Sequence, residues 1–373
     1  LLDEGRQDII EQNSRRLSVL NRHIVVKILN EQGYSYANVS IPYEAEAEIR
    51  NIQARTILPG GRVVELLPEQ VFDTSYDTEY IYYTDRRLKR FTMPSVEKGC
   101  IVEYSWQKRI NDFHIWNQWP FQRKDPILLS KYTLHTPRDW KIHHKTFGSL
   151  EHLSFREETH GTTAVRRWQA SSIPPFIPEV SSPPGQNSTA HLMFSPLGIE
   201  TWDDVGRWYL NLAEKRMKPE AAVQQAVKRI TTDNQTDKEK LQAIFSFVQQ
   251  TIRYISIEIG IGGYQPHPAS SVLRNGFGDC KDMAALLTAM ADAADITVHP
   301  VLLSTWHHGE IDTSLVTPHY FNHVIAVAFL DDTTALWMDP AEKKVPFGEL
   351  PWYDQNRKVL IAERGEQSRI ALT

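Results

Sequence analysis

The sequence predicts two domains, an N-terminal all-β antiparallel sandwich and a C-terminal α+β core. Three observations predict this. Up to about residue 170, turn-forming residues interrupt short β-rich runs roughly every ten residues. A stretch dense in proline and small polar residues follows. Beyond it the apolar period lengthens from two to nearly four. The chain has 373 residues, too many for one ordinary core. The boundaries fall at 1–172 for the sandwich, 173–198 for a linker and 199–373 for the second domain.

In the first domain, Arg22-His-Ile-Val-Val-Lys-Ile-Leu29 reads as a strand running into a turn at Gln32-Gly33. Tyr34 to Pro42 resumes an extended pattern. Ile57-Leu-Pro-Gly-Gly-Arg-Val-Val64 reads as a hairpin with Pro-Gly-Gly at its tip. Ile101 to Trp106, Leu128 to Leu134 and Trp140 to His144 supply further strands. No helix-period segment and no internal repeat stand out in this region. The linker, Ile173-Pro-Pro-Phe-Ile-Pro178 and Ser181-Ser-Pro-Pro-Gly-Gln-Asn-Ser188, sustains neither a helix nor a central strand.

In the second domain, Thr201 caps a helix carrying Trp202, Val205, Trp208, Tyr209 and Leu212. Thr236-Asp-Lys-Glu239 is a capping box and opens a helix with Leu241, Ile244, Phe245, Val248 and Ile252 on one face. A third helix begins near Cys280, with Ala284, Leu287, Met290, Ala291 and Ala294 on one side. Strands follow at Val298 to Ser304, His323 to Phe329, Thr334 to Met338 and Lys358 to Ala362.

Composition narrows the function. Apolar residues are 41% and charged residues 23%, the balance of a folded globular protein. No apolar run approaches the roughly 20 residues of a membrane-spanning helix. A net charge of −5 and a pI near 6.3 give no electrostatic case for nucleic acid. The short basic stretch Arg86, Arg87, Lys89 and Arg90 reads as a solvated strand face or turn. The chain begins Leu-Leu-Asp-Glu-Gly, with neither Met nor a signal-peptide core, and reads as a processed protein or a piece of a longer one. Two cysteines, Cys100 and Cys280, cannot build a disulfide framework or a Cys-rich metal site, though they could pair with each other. His267, His299, His307 and His308 lack zinc-site helix spacing, and Gly260-Ile-Gly-Gly263 is not followed by the Lys-Ser/Thr of a phosphate loop. No metal and no cofactor is expected.

The chemistry concentrates in Gly276-Phe-Gly-Asp-Cys-Lys-Asp282. The glycines allow a tight turn and close backbone approach. A cysteine at a helix N-terminus meets unpaired N–H groups and the positive end of the dipole, both of which favour the thiolate. The backbone N–H of Cys280 is a natural oxyanion donor. Asp279 and Asp282 suit the same dipole as ordinary first-turn acids. Alone, a free cysteine is more often a small buried apolar residue, and Cys100 reads that way. His323 and Asp339 change the weighting for Cys280. They flank a hairpin whose turn is Asp331-Asp-Thr-Thr334, and position 331 lies midway between them, so they are expected to face each other across the ladder. A carboxylate there would fix the tautomer and orientation of an imidazole base.

Gly-Asp-Cys280-Lys-Asp, Asn322-His323-Val and Trp337-Met-Asp339-Pro resemble the three blocks of the transglutaminase-like superfamily, a papain-like fold, over roughly residues 200 to 362. Ile252-Arg-Tyr254 and Gly262-Gly-Tyr-Gln-Pro-His-Pro-Ala269 resemble the segment before its nucleophile. The first domain, with Gly33, Pro59-Gly-Gly61, Pro94 and Lys98-Gly-Cys-Ile-Val-Glu-Tyr104, is similar to a β-sandwich of unassigned function that precedes this core in bacterial proteins. The resemblance implies Cys280 as nucleophile, His323 as base and Asp339 as its orienter, and an exported origin in the periplasm, cell envelope or medium. Gln265 is a candidate second oxyanion donor, with Tyr254, Tyr264 and His319 as candidate cleft residues.

The expected reaction is acyl transfer from a peptide or protein amide through a thioester on Cys280, with water as acceptor. An amine acceptor would make it a cross-linking transglutaminase instead. The contrasting expectation is a binding or assembly protein, with a vestigial site and a sandwich that engages a glycan or protein. Three competent residues at the triad positions weigh against it.

Overall fold

A computed structural model describes residues 1–12, 15–44, 46–76, 81–84, 86–111, 118–179, 188–233, 236–258, 263–330 and 335–373. The central part of the proline-rich linker, the proposed turn 331–334 and Gly260 to Gly262 therefore lie outside the described residues. The chain divides into two units, one built from residues up to Leu197 and the other from Gly198 to Thr373, which also takes in the strand Ile81–Thr84.

The first unit rests on an eight-stranded sheet. Its order is Leu153–His160, Thr163–Ile173, Ile127–Pro137, Leu2–Gln12, Arg15–Lys27, Ile101–Ile110, Ala47–Ile57 and Val63–Glu65. One three-stranded sheet holds Asn38–Tyr43, Arg87–Thr92 and Phe72–Ser75, and another holds Trp119–Pro120, His191–Phe194 and His144–Phe147. Each small sheet packs on the large one. Tyr132, Leu134 and Trp168 of the large sheet share a core with Trp119, Leu192 and Phe194. Ile24, Val26 and Val102 share a second core with Val39, Ile41 and Phe91. Gly5 leaves room for Trp119, whose ring would lie 2.5 Å from a β-carbon built there.

Three local expectations change in this unit. Tyr34 to Ala37 belong to a 3-10 helix, Glu31–Ala37, capped by the Asn30 side chain, and the strand begins only at Asn38. Trp140 to His144 is not a strand, since pairing starts at His144. The strand Leu2–Gln12, unmarked by clean alternation, is central and runs parallel to Ile127–Pro137, so the sandwich is not wholly antiparallel. Cys100 is fully buried in the second core, and both cysteines are free thiols. Arg87 and Lys89 of the basic stretch pair with Asp73.

Among the described residues the second unit has five α-helices: α1 (Trp202–Ala213), α2 (Ala221–Ile230), α3 (Asp237–Thr251), α4 (Ala269–Asn275) and α5 (Cys280–Asp292). Thr201 caps α1 and Thr236 caps α3, both with capping boxes. Helix α2 carries Val223, Ala226, Val227 and Ile230 at helical spacing on its buried face, a period the sequence reading passed over, while α4 is only seven residues long. An antiparallel sheet follows, with β1 (Val298–Leu303), β2 (His323–Phe329), β3 (Ala335–Met338), β4 (Lys358–Ile361) and β5 (Arg369–Leu372) in the order β3-β2-β1-β4-β5. Helix α5 is the buried axis, with every residue from Lys281 to Ala291 buried. Met283, Leu286, Leu287 and Met290 meet α3 and the sheet residues Val298, Ala326 and Met338, while Ala284 and Ala285 meet Val205 and Tyr209 of α1. Full burial of such side chains contributes roughly 2 kcal/mol each, enough to anchor the helix that carries Cys280. Among the described residues, no helix is long and apolar enough to cross a membrane.

Candidate active site

Cys280 is the first residue of α5, so its backbone N–H has no partner within the helix and is available to an oxyanion. Its side chain is partly exposed. The preceding residues fix this position. Gly276 closes α4 in the left-handed region, with φ 71°. Phe277–Gly278 then pairs in parallel with Arg253–Tyr254, and Ile255 N donates to Gly278 O at 2.9 Å. Tyr254, a candidate cleft residue, thus lies opposite Gly278, two residues from Cys280.

The two acids around Cys280 are more than dipole decoration. Asp279 is the N-cap and Asp282 the third helical residue of a capping box, with Asp282 Oδ2 accepting Asp279 N–H at 3.2 Å. Asp282 is fully buried, and its Oδ1 also accepts the backbone N–H of His267 at 2.7 Å, which ties the loop before α4 to the start of α5. Asp279 forms a buried ion pair with Lys281. Burial alone would lower the Lys281 pKa, but the Asp279 charge and hydrogen bond, with Cys280 and Asp282 adding to them, together outweigh it and hold it above the ordinary lysine value.

His323 opens β2 opposite Leu303 of β1. Its Nε2 lies 2.9 Å from Asp339 Oδ2, and Asp339 Oδ1 accepts the Ala341 N–H at 2.9 Å. The expected pair therefore forms, but not by direct opposition. Ala326 faces Met338 and Phe329 faces Ala335, so the ladder is centred on 332 and His323 and Asp339 are offset by two positions. An offset of two leaves both side chains on one face, and a diagonal pair is still within reach. Burial would lower the pKa of His323, but the Asp339 charge and hydrogen bond, with Cys280 adding to them, raise it well above the ordinary value. With Nε2 held by Asp339, Nδ1 is the nitrogen left to exchange a proton with Cys280.

The remaining candidates lie as follows. Gln265 is committed elsewhere: its Nε2 donates to Leu212 O at 3.1 Å, and its Oε1 accepts from Arg216 at 3.2 Å. It bridges the end of α1 to the loop before α4, which removes the argument for an oxyanion role. Tyr264 stacks edge-on against Trp208, with centroids 5.2 Å apart. His319 lies in the 3-10 turn Pro318–Tyr320 that leads to β2, and Thr317 caps this turn. Sequence reasoning missed Asp354. Its side chain is fully buried, and a carboxylate oxygen lies 3.8 Å from His323 Nε2. It sits in an irregular loop, where no period or spacing marks it. Donor atoms of His323, Asp339 and Asp354 lie within 4.8 Å of one another, the one cluster among the described residues with the spacing of a metal site.

Residues 224–340 match the family model of the transglutaminase-like superfamily. The chain carries a transglutaminase-like core. Residues 15–177 match a domain of unknown function with a solved structure, DUF3857, in front of it. Comparison with curated proteins found no match. A structure from Parabacteroides distasonis ATCC 8503, named a "putative protease", aligns over 99% of this chain and 71% of its own with TM-score 0.76 and 16% identity. Likeness at that identity shows a shared fold alone. A "putative cysteine protease" from Cytophaga hutchinsonii aligns over 90% of this chain and 79% of its own at 10% identity, with TM-score 0.28, too low to carry an argument. Cys280, His323 and Asp339 of the transglutaminase-like core stand at the helix start, the first residue of β2 and the residue after β3, the three places where the sequence blocks put them.

Proposed function

We propose that the transglutaminase-like core hydrolyses peptide or protein amides through a thioester on Cys280. The observation that carries this reading is the 2.9 Å bond between His323 Nε2 and Asp339 Oδ2 in the unit that starts a helix with Cys280. In the first step the Cys280 proton moves to His323, and the sulfur attacks the amide carbonyl carbon. The Cys280 N–H stabilises the oxyanion. His323 returns the proton to the departing amine as the C–N bond breaks, leaving a thioester. Water, deprotonated by His323, attacks the thioester and releases a carboxylic acid and the thiol. Asp339 keeps the imidazole oriented and balances its charge throughout.

A peptide substrate is supported by the loops around the base. Thr305 N donates to the side chain of Asn322, the residue before His323, and Trp306 N donates to Tyr353 O. Trp306 and Trp352, 39% and 61% exposed with centroids 5.6 Å apart, offer apolar surface at this end of the sheet. Exposed aromatic rings suit the apolar side chains of a bound chain.

The test is alkylation of Cys280 by iodoacetamide between pH 5 and 9, read by mass spectrometry, in the parent protein and in His323→Ala. Fast labelling near pH 6, lost in the variant, is expected. Equal labelling in both proteins would remove the base and leave the binding-protein reading. With a peptide amide as substrate, water as acceptor gives the free acid, whereas an added amine incorporated into the product would make the reaction transfer.

A further inference from the structure

We propose that Asp354 is a positioning residue of the triad, a buried acid that donates its proton to Asp339 and so fixes the carboxylate that holds His323. This inference rests on the catalytic reading of Cys280, His323 and Asp339. It starts from an anomaly: Asp354 is fully buried, and neither of its carboxylate oxygens has a hydrogen-bond donor among the described residues. A buried carboxylate without a donor is unstable as an anion, and the simplest remedy is a proton.

The surroundings decide where that proton points. His323 Nε2 is 3.8 Å from Asp354 but already gives its hydrogen to Asp339 at 2.9 Å. Arg357, on the same loop, spends its guanidinium on the carbonyls of Ser304 and Gly309. Asp339 remains: its two oxygens accept from His323 and Ala341, and a carboxylate has lone pairs to spare. A protonated Asp354 supplies a third donor. The two acids then share one proton and one negative charge, the arrangement that close carboxylates adopt when both cannot ionise.

The other charged groups act in both directions. His323 favours the ionised form of Asp354, while Asp339 and Glu342 oppose it, and Tyr353 and Arg357 are the remaining titratable neighbours on its own loop. Burial leads, with these charges following, and pushes the Asp354 carboxyl up to about 7. Below that pH, Asp339 is braced by a neutral acid. Above it, two negative charges face the imidazole and the brace is lost.

The test uses the full chain and the rate of Cys280 alkylation in the parent, Asp354→Asn, Asp354→Ala and His323→Ala, each first shown by circular dichroism to fold. Loss of a hydrogen bond to a charged partner predicts labelling about tenfold slower at pH 6 in Asp354→Ala. An asparagine amide also donates to Asp339, so Asp354→Asn recovers most of that loss while abolishing an inflection near pH 7 that the parent shows. Parent-like labelling in Asp354→Ala would overturn the proposal, as would an inflection that survives in Asp354→Asn. Should Asp354→Ala not fold, the asparagine profile alone decides. Tight binding of added zinc by the parent, lost in Asp354→Asn, would overturn it too and assign the three side chains to a metal. If His323→Ala labels as fast as the parent, the triad itself has failed, an outcome distinct from one in which only the Asp354 variants match the parent.

Discussion

Gly278 is the residue on which the turn into Cys280 depends, and Gly278→Ala tests why. Its backbone lies outside the left-handed region, so the reason for glycine is space. A β-carbon there would sit 2.6 Å from Asp282 Cβ, 3.0 Å from its Oδ2 and 3.3 Å from its Cγ. Carbon atoms pack at about 3.5–4.0 Å, so roughly 1 Å must open. Asp282 cannot give way cheaply, because it is fully buried and holds the N–H groups of Asp279 and His267. Overpacking costs about 1–3 kcal/mol and a lost cap about 1 kcal/mol, so the variant should lose about 2–4 kcal/mol. Urea unfolding followed by circular dichroism measures the loss. Cys280 moves with the start of α5, and a shift of about 1 Å can slow its alkylation up to a hundredfold. Gly276→Ala is the control: no atom lies within 4 Å of a β-carbon there, and only its left-handed φ is strained. It should cost about 1 kcal/mol and leave labelling nearly unchanged. A Gly278→Ala protein within about 0.5 kcal/mol of the parent, labelling at the parent rate, would refute the steric account.

Two further outcomes follow from the buried charges. Lys281→Ala leaves Asp279 buried without its cation and should destabilise the fold by about 3 kcal/mol, read by the same unfolding assay, whereas Lys281→Ala combined with Asp279→Asn should lose less. Asp354 has a folded-state pKa raised above its unfolded value, so its contribution is full below the unfolded value of 3.8 and is lost as pH rises towards about 7. Compared with Asp354→Asn, the parent should therefore lose melting temperature between pH 4 and pH 7, and parallel melting curves across that range would show that Asp354 does not titrate this way.

Local signals carried far in the second unit. The cap at Thr201, the capping box at Thr236, the start of α5 at Cys280 and the extent of β2 are set by neighbours within four residues, and they occur where the sequence put them. The strand Leu2–Gln12 was invisible because its core face carries Asp3, Gly5 and Gln7, which are made tolerable by Arg22, Trp119 and Ser18 from elsewhere in the chain. Likewise, the parallel pairing of Ile81–Thr84 with Ser256–Glu258 joins segments far apart in sequence.

The site divides in the same way. By itself the sequence determined the identity and local setting of Cys280, His323 and Asp339, because a helix start and strand ends are written in residue type and spacing. Tertiary structure decided the rest: that the ladder is centred on 332, that Gln265 is held by Leu212 and Arg216, and that Asp354 stands beside His323. These depend on which groups folding removes from water, and burial, which gives an unpartnered carboxyl its meaning, is a property of the packed chain rather than of any stretch of it.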